Sequence, residues 1–184
     1  MTGKDCIATA MTYAGLDNIK KSYLSSSPSE QATDTAQKLK VFLQGVLNEI
    51  AIGFVKLTKT EKFECEGEIL PYVVINPRLY EVICVKKNGR KIYPQRTADG
   101  LALDCGEYEI TYCYLPQAEE EEEIPFGRMI SEECIAYGIA SEYFLAMGMA
   151  EEASAFDQKF RASLKNTVAY HIKSGHIKER VWLS

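Results

Sequence analysis

A chain of 184 residues with 46% hydrophobic content is long enough for one helical core with a small β module, and this composition excludes a disordered or collagen-like protein. A formal charge of −5 argues against a protein that grips nucleic acid over its whole surface, because phosphate binding needs an excess of Lys and Arg on the contact face; a local basic patch stays open. No apolar run approaches the ~20 residues of a membrane-spanning helix, and Met1-Thr-Gly-Lys-Asp5 does not begin a signal peptide. The six scattered cysteines (Cys6, Cys65, Cys84, Cys105, Cys113, Cys134), without a CxxC pair, therefore read as reduced structural thiols.

Along the chain, Cys6, Ile7, Ala10, Met11 and Ala14 recur at helical intervals, with Gly15 as the stop. Ser27-Pro28-Ser29-Glu30 reads as an N-cap serine, a first-turn proline and a capping-box glutamate. The stripe Ala32, Ala36, Leu39, Phe42, Leu43, Val46, Leu47 and Ile50 then predicts a helix from Pro28 to about Ile52, ended by Gly53. From Leu57 the period becomes two: Phe63 and Cys65 alternate with Lys62, Glu64 and Glu66, and Tyr72-Val-Val-Ile75 reads as the next strand. Lys87-Asn88-Gly89-Arg90 is a two-residue hairpin signal between Tyr80–Lys86 and Lys91–Tyr93, because Asn-Gly accepts positive φ. A short Leu101–Leu103 strand and a last one with Tyr108, Ile110, Tyr112 and Tyr114 on one face complete an antiparallel sheet of about five strands.

Glu119, Glu120, Glu121, Glu122 and Glu123 form a run of like charges whose self-repulsion disfavours compact structure; it reads as a solvated loop, or as an acidic rim or partner contact. Two helical stripes follow. Cys134, Ile135, Tyr137, Gly138, Ser141, Phe144 and Leu145 carry small residues for close helix contact, and Met147-Gly148-Met149 separates them from Ala153, Phe156, Phe160, Leu164 and Val168, predicting an antiparallel helical hairpin. Beyond it, residues 171–184 lack sustained periodicity and hold the chain's one tryptophan, Trp182, and the stretch from Lys159 to Ser184 is basic, with Lys159, Arg161, Lys165, Lys173, Lys178 and Arg180 against Glu179 alone. An indole there is expected to be covered, by its own domain or by a partner.

No Gly-rich phosphate loop, GxSxG or HExxH occurs, and His171 and His176 lie five apart without a cysteine beside them. The expectation is therefore a non-enzyme with no catalytic residues, cofactor or metal. A small enzyme with a carboxylate site that the sequence does not reveal is the remote alternative.

The helix ending in Leu47-Asn-Glu-Ile-Ala51, the following Leu57-Thr-Lys-Thr-Glu61, the strand module closing on Ile110-Thr-Tyr-Cys-Tyr-Leu-Pro116, and the paired helices around Ala136-Tyr-Gly-Ile-Ala140 and Phe160 resemble tailed-phage head-to-tail adaptor proteins. The resemblance spans about residues 28–168. It implies an α+β fold, a helical bundle with an inserted small antiparallel β-sheet module. The expected parts are N-terminal helices over 1–56, the β module over 57–116, an acidic linker over 117–127, a helical hairpin over 128–170 and a docking tail over 171–184. It implies a structural virion protein in a homo-oligomeric ring, usually a dodecamer. Such a ring sits under the portal protein, extends the DNA channel, touches packaged double-stranded DNA passively and receives a tail or neck component below. The location implied is the head–tail junction of the virion, with the host cytoplasm before assembly and no membrane association. Carried over to this chain, Lys178, Arg180, Val181, Trp182 and Leu183 would dock on the portal, and the acidic block 119–123 could face the channel. Another neck or tail-completion protein is the nearest alternative.

Overall fold

The computed structural model describes residues 1–126 and 129–181, the stretch 168–181 as helix backbone only. The fold is α+β, and the chain divides into two compact units, one of residues Met1–Ile50 with Gln117–Ser184 and one of Ala51–Pro116.

The first unit is helical. Its α1, Gly3–Tyr13, starts on a capping box: Asp5 N donates to Thr2 Oγ1 at 3.2 Å and Thr2 N donates to Asp5 Oδ2 at 2.8 Å. The helix ends at Ala14, after which Gly15 takes φ +70°, a conformation that costs glycine little. A short α2, Asp17–Tyr23, leads to α3, Glu30–Gly53. The cap of α3 differs from the expectation. Ala32 N donates to Ser29 Oγ at 3.3 Å, so Ser29 and not Ser27 caps the helix, which begins two residues later than the Ser-Pro signal indicated. The reason lies in α2, where Ser22 Oγ accepts from Ser29 N at 2.9 Å and fixes Ser29 at the entry.

Of the α3 stripe Ala32, Ala36, Leu39, Leu43, Val46, Leu47 and Ile50 are buried, while Phe42 at its margin is only half-buried. Ser131 caps α5, Glu132–Ala146, by accepting from Cys134 N at 3.2 Å, and Gly148 at φ +77° turns the chain into α6, Ala150–Val181. Close approach decides the packing here. A Cβ on Gly138 would lie 2.9 Å from Val46 Cγ2 on α3 and 3.3 Å from Phe160 Cδ2 on α6, so only glycine lets these three helices meet. A separate tail from 171 was expected, yet α6 continues to Val181. No proline interrupts it after Ala150, and one glycine, Gly175, is a cost a long helix absorbs.

The second unit holds two antiparallel sheets rather than the single sheet expected. One has the order β1 (Thr58–Glu66), β7 (Cys105–Tyr114), β3 (Leu79–Lys87), β4 (Arg90–Ile92); the other has β2 (Ile69–Pro71), β6 (Gly100–Ala102), β5 (Gln95–Arg96). Within the second sheet Gly100 opposes Pro71 so closely that a Cβ would collide with the Leu70 backbone, so glycine is required at this pairing. Tyr72–Ile75, read as a strand, is instead one helical turn, α4. Its β-branched residues are overridden by local bonds: Tyr72 N donates to Asp99 O at 2.9 Å, Asn76 N to Tyr72 O at 3.0 Å, and Arg78 N to Asn76 Oδ1 at 2.8 Å. The turn buries Ile75 and leaves Val73 and Val74 in solvent.

The hairpin signal is met, with Asn88 at φ +52° and Gly89 at φ +74° between β3 and β4. Tyr108, Ile110 and Tyr112 of β7 form the buried face with Val82, Val85, Leu70 and Leu101. On the opposite face charges pair across strands, Lys62 with Glu107 and Lys86 with Glu109, each at 2.7 Å.

Candidate functional site

The acidic run is where the structure departs furthest from the sequence reading. Instead of a free linker, the segment from Gln117 onward is part of the helical unit and runs along it. Ala118 is buried and its N–H donates to Gln44 Oε1 at 2.9 Å. Lys40 Nζ donates to Glu119 Oε2 at 2.9 Å, and Gln117 Nε2 donates to Glu119 Oε1 at 2.6 Å. The Tyr23 hydroxyl donates to Glu120 Oε2 at 2.7 Å, Lys4 N donates to Glu120 O at 2.8 Å, and Lys4 Nζ pairs with Glu121 Oε1 at 3.0 Å. Glu123 bridges Thr2, and Ile124 N donates to Met1 O at 3.1 Å.

Electrostatics follow that geometry. The ammonium of Lys40, with the Gln117 amide, holds the Glu119 carboxyl below its ordinary value, while Glu119 raises the Lys40 ammonium. Burial, then the hydrogen bond to Glu120, raises the Tyr23 phenol. Glu121, Glu122 and Glu123 are exposed and Glu119 and Glu120 half-buried, so exposure grows along the run. Sequence reasoning missed Tyr23, Lys4 and Lys40 because they lie 97, 117 and 79 positions from their partners.

Of the docking residues, Lys178, Arg180 and Val181 belong to the α6 backbone, and their side chains lie outside the described residues, as do Trp182 and Leu183 entirely. His171 and His176 fall under the same limit. The structure thus brings the acidic block to α1, α2 and α3 and gives no side-chain placement for the tail set.

An aromatic cluster occupies the turn of α5 and α6: Tyr13 stacks on Tyr137 with ring centroids 5.0 Å apart, Phe144 on Phe156 at 5.5 Å, and Lys159 Nζ sits 4.9 Å over the Phe156 ring. Burial, then the hydrogen bond with Tyr137, pushes the Tyr13 phenol up to about 12, so it is neutral at physiological pH. Beside it Leu145, Met147 and Met149 are exposed.

Burial, then the charge of Glu132, pushes the Cys6 thiol up to about 12, and burial likewise raises Cys134, which leaves both inert as nucleophiles. All six cysteines are free. Among the described residues no group of three His, Cys, Asp or Glu side chains could hold a metal ion, and no helix is long and apolar enough to cross a membrane.

In the sheet unit the two outer strands of the four-stranded sheet carry exposed charges. Glu64 and Glu66 stand on β1 and Arg90 and Lys91 on β4, all solvent-facing. The Asn88-Gly89 hairpin was legible in the sequence, while its charge and its position at the opposite edge from β1 were not read there. No protein-family model matches this chain, and no curated protein matches it.

Proposed function

We propose that this chain is a structural virion protein, a head-to-tail adaptor that joins a ring beneath a phage portal, extends the DNA channel and offers a platform to the tail. The observation that carries the reading is the insertion of an antiparallel-sheet unit, Ala51–Pro116, between two stretches that build one helical unit. Support also comes from the anchored acidic segment. Its carboxylates without an ion pair among the described residues, Glu122 and Glu123, would repel passing DNA while Lys4, on Glu121, and Lys40, on Glu119, keep the segment in place. The contact with DNA in this reading is passive. The C-terminal set Lys178, Arg180, Val181, Trp182 and Leu183 docks on the portal in this reading, where Trp and Arg act as interface anchors.

The test is a pull-down and cryo-electron microscopy of the chain mixed with the portal protein of its own genome, comparing the full chain with one stopped after Lys173. A ring on the portal that requires the last residues is the expected result. No binding by either form would move the assignment to another neck or tail-completion component, or to an enzyme.

A further inference from the structure

The four-stranded sheet has two outer strands, β1 and β4, neither of them paired on its outer side among the described residues. Their charges are opposite. β1 ends in Glu64 and Glu66, with Glu68 just beyond, and none of the three has an ion-pair partner among the described residues. β4 carries Arg90 and Lys91, equally without an ion pair there; Lys91 Nζ lies 5.0 Å from the centre of the Tyr93 ring. Residues 86–91 hold Lys86, Lys87, Arg90 and Lys91 and no acid.

Strand direction makes these edges compatible. Every neighbouring pair in the sheet is antiparallel, and the number of strands is even, so β1 and β4 run in opposite directions. A second copy brought alongside by a rotation about an axis along the strands therefore presents its β1 antiparallel to the first copy's β4, the pairing sheets favour.

Backbone groups match as well. Leu57 O accepts from Tyr114 N at 3.1 Å, and the unbroken β1–β7 register then turns the N–H and C=O of Thr58, Thr60, Lys62, Glu64 and Glu66 to the outer side. On β4 the two-residue turn closes on Lys87 and Arg90, which leaves the N–H and C=O of Lys91 pointing outward. The cross-sheet row Lys62, Glu109, Lys86, Lys91 places Lys91 on the same face as the even-numbered residues of β1. Setting Lys91 opposite Glu64 thus joins outward groups to outward groups, keeps both faces in register, and puts Glu66 on one diagonal and Lys62, already paired with Glu107, on the other.

We propose that copies of this chain join edge to edge, β4 of one against β1 of the next, with Lys91 opposite Glu64. The contact is heterologous, so each copy keeps one edge of each kind for further neighbours, and a rotation that closes gives a ring. It deepens the adaptor reading and rests on it only for closure of the ring.

The test uses the full chain and sedimentation velocity at rising concentration. Wild type is expected to self-associate, and Lys91→Glu and Glu64→Lys each to weaken association roughly fivefold or more by placing like charges in every contact. Both positions are exposed and outside the core, so the variants fold; circular dichroism checks this. The double variant is expected to regain association. An equimolar mixture of the two single variants is expected to regain it too, because each supplies the edge the other lacks.

A wild type that stays monomeric at the highest soluble concentration, or single variants that associate like wild type, overturns the proposal. So does the result expected if the hairpin cations serve DNA phosphates: Lys91→Glu losing a duplex oligonucleotide, Glu64→Lys keeping it, and the mixture rescuing nothing. Portal capture separates this claim from the adaptor role. Edge-dependent association without capture removes only the adaptor role, and capture with harmless charge reversals removes only the edge contact.

Discussion

The two units treat their carboxylates in opposite ways. In the helical unit the acidic run is held by groups distant in sequence, Lys4, Tyr23 and Lys40, which converge on one short segment. In the sheet unit Glu107 and Glu109 are balanced by cross-strand neighbours, Lys62 and Lys86, whose partners follow from strand register. The difference teaches that a run of like charge has no fixed fate. Its self-repulsion disfavours compact structure only until the fold supplies cations and hydroxyls at its side.

Breaking each unit at its core gives the largest effects. Ile110 is fully buried on β7, and Ile110→Ala is expected to cost about 4 kcal/mol, read as a lower urea midpoint. Gly138→Val is expected to cost about 3 kcal/mol in the helical unit, since its new carbons meet Val46 and Phe160 inside contact distance. A neutral Gly138→Val would show that α3, α5 and α6 do not approach as described. The comparison sharpens at Tyr23. Tyr23→Phe removes the donor to Glu120 and is expected to cost about 1.5 kcal/mol and to speed amide exchange in residues 117–124, while exchange in β7 stays unchanged. Equal exchange in both forms would mean that the hydroxyl does not hold the segment.

Much of this fold was legible because its signals are local. Asn88-Gly89 specifies a positive-φ turn by its own chemistry, the α3 stripe needs only its 3.6 period, and Gly138 announced a close contact without naming its partners. The failures have a common cause in bonds made from outside the local window. Tyr72-Val-Val-Ile75 has strand composition but is wound into a turn by Asp99 O, and the choice of Ser29 over Ser27 as cap depends on Ser22. The β2–β6 pairing of the second sheet brings Gly100 against the Leu70 backbone, a contact between residues distant in sequence. For the candidate site, the charges of 119–123 were visible, but nothing near them in sequence points to Lys4, Tyr23 or Lys40. The sheet edges were half legible: the Asn88-Gly89 hairpin stood out, whereas its antiparallel relation to β1 required the strand order.

The smallest effect tests the acidic segment most directly. Lys40 and Glu119 are both partly exposed, so their pair contributes little to stability, and its pH dependence is the better signature. Glu119 has a folded value held below the ordinary 4.5, so its contribution is present above about pH 4.5 and is lost as pH falls through the lowered value. Lys40 is raised above its ordinary 10.5, so its contribution is present below that pH and is lost as pH rises past the raised value. Between the two the pair is at full strength. Lys40→Ala is therefore expected to release the segment, as faster amide exchange in residues 117–124, by a constant factor across neutral and weakly acidic pH. That factor should shrink towards one in strong acid, where Glu119 is protonated in both forms. A factor that persists there would assign the holding to the neutral bonds, Tyr23 to Glu120 and Ala118 to Gln44, and not to the charge pair.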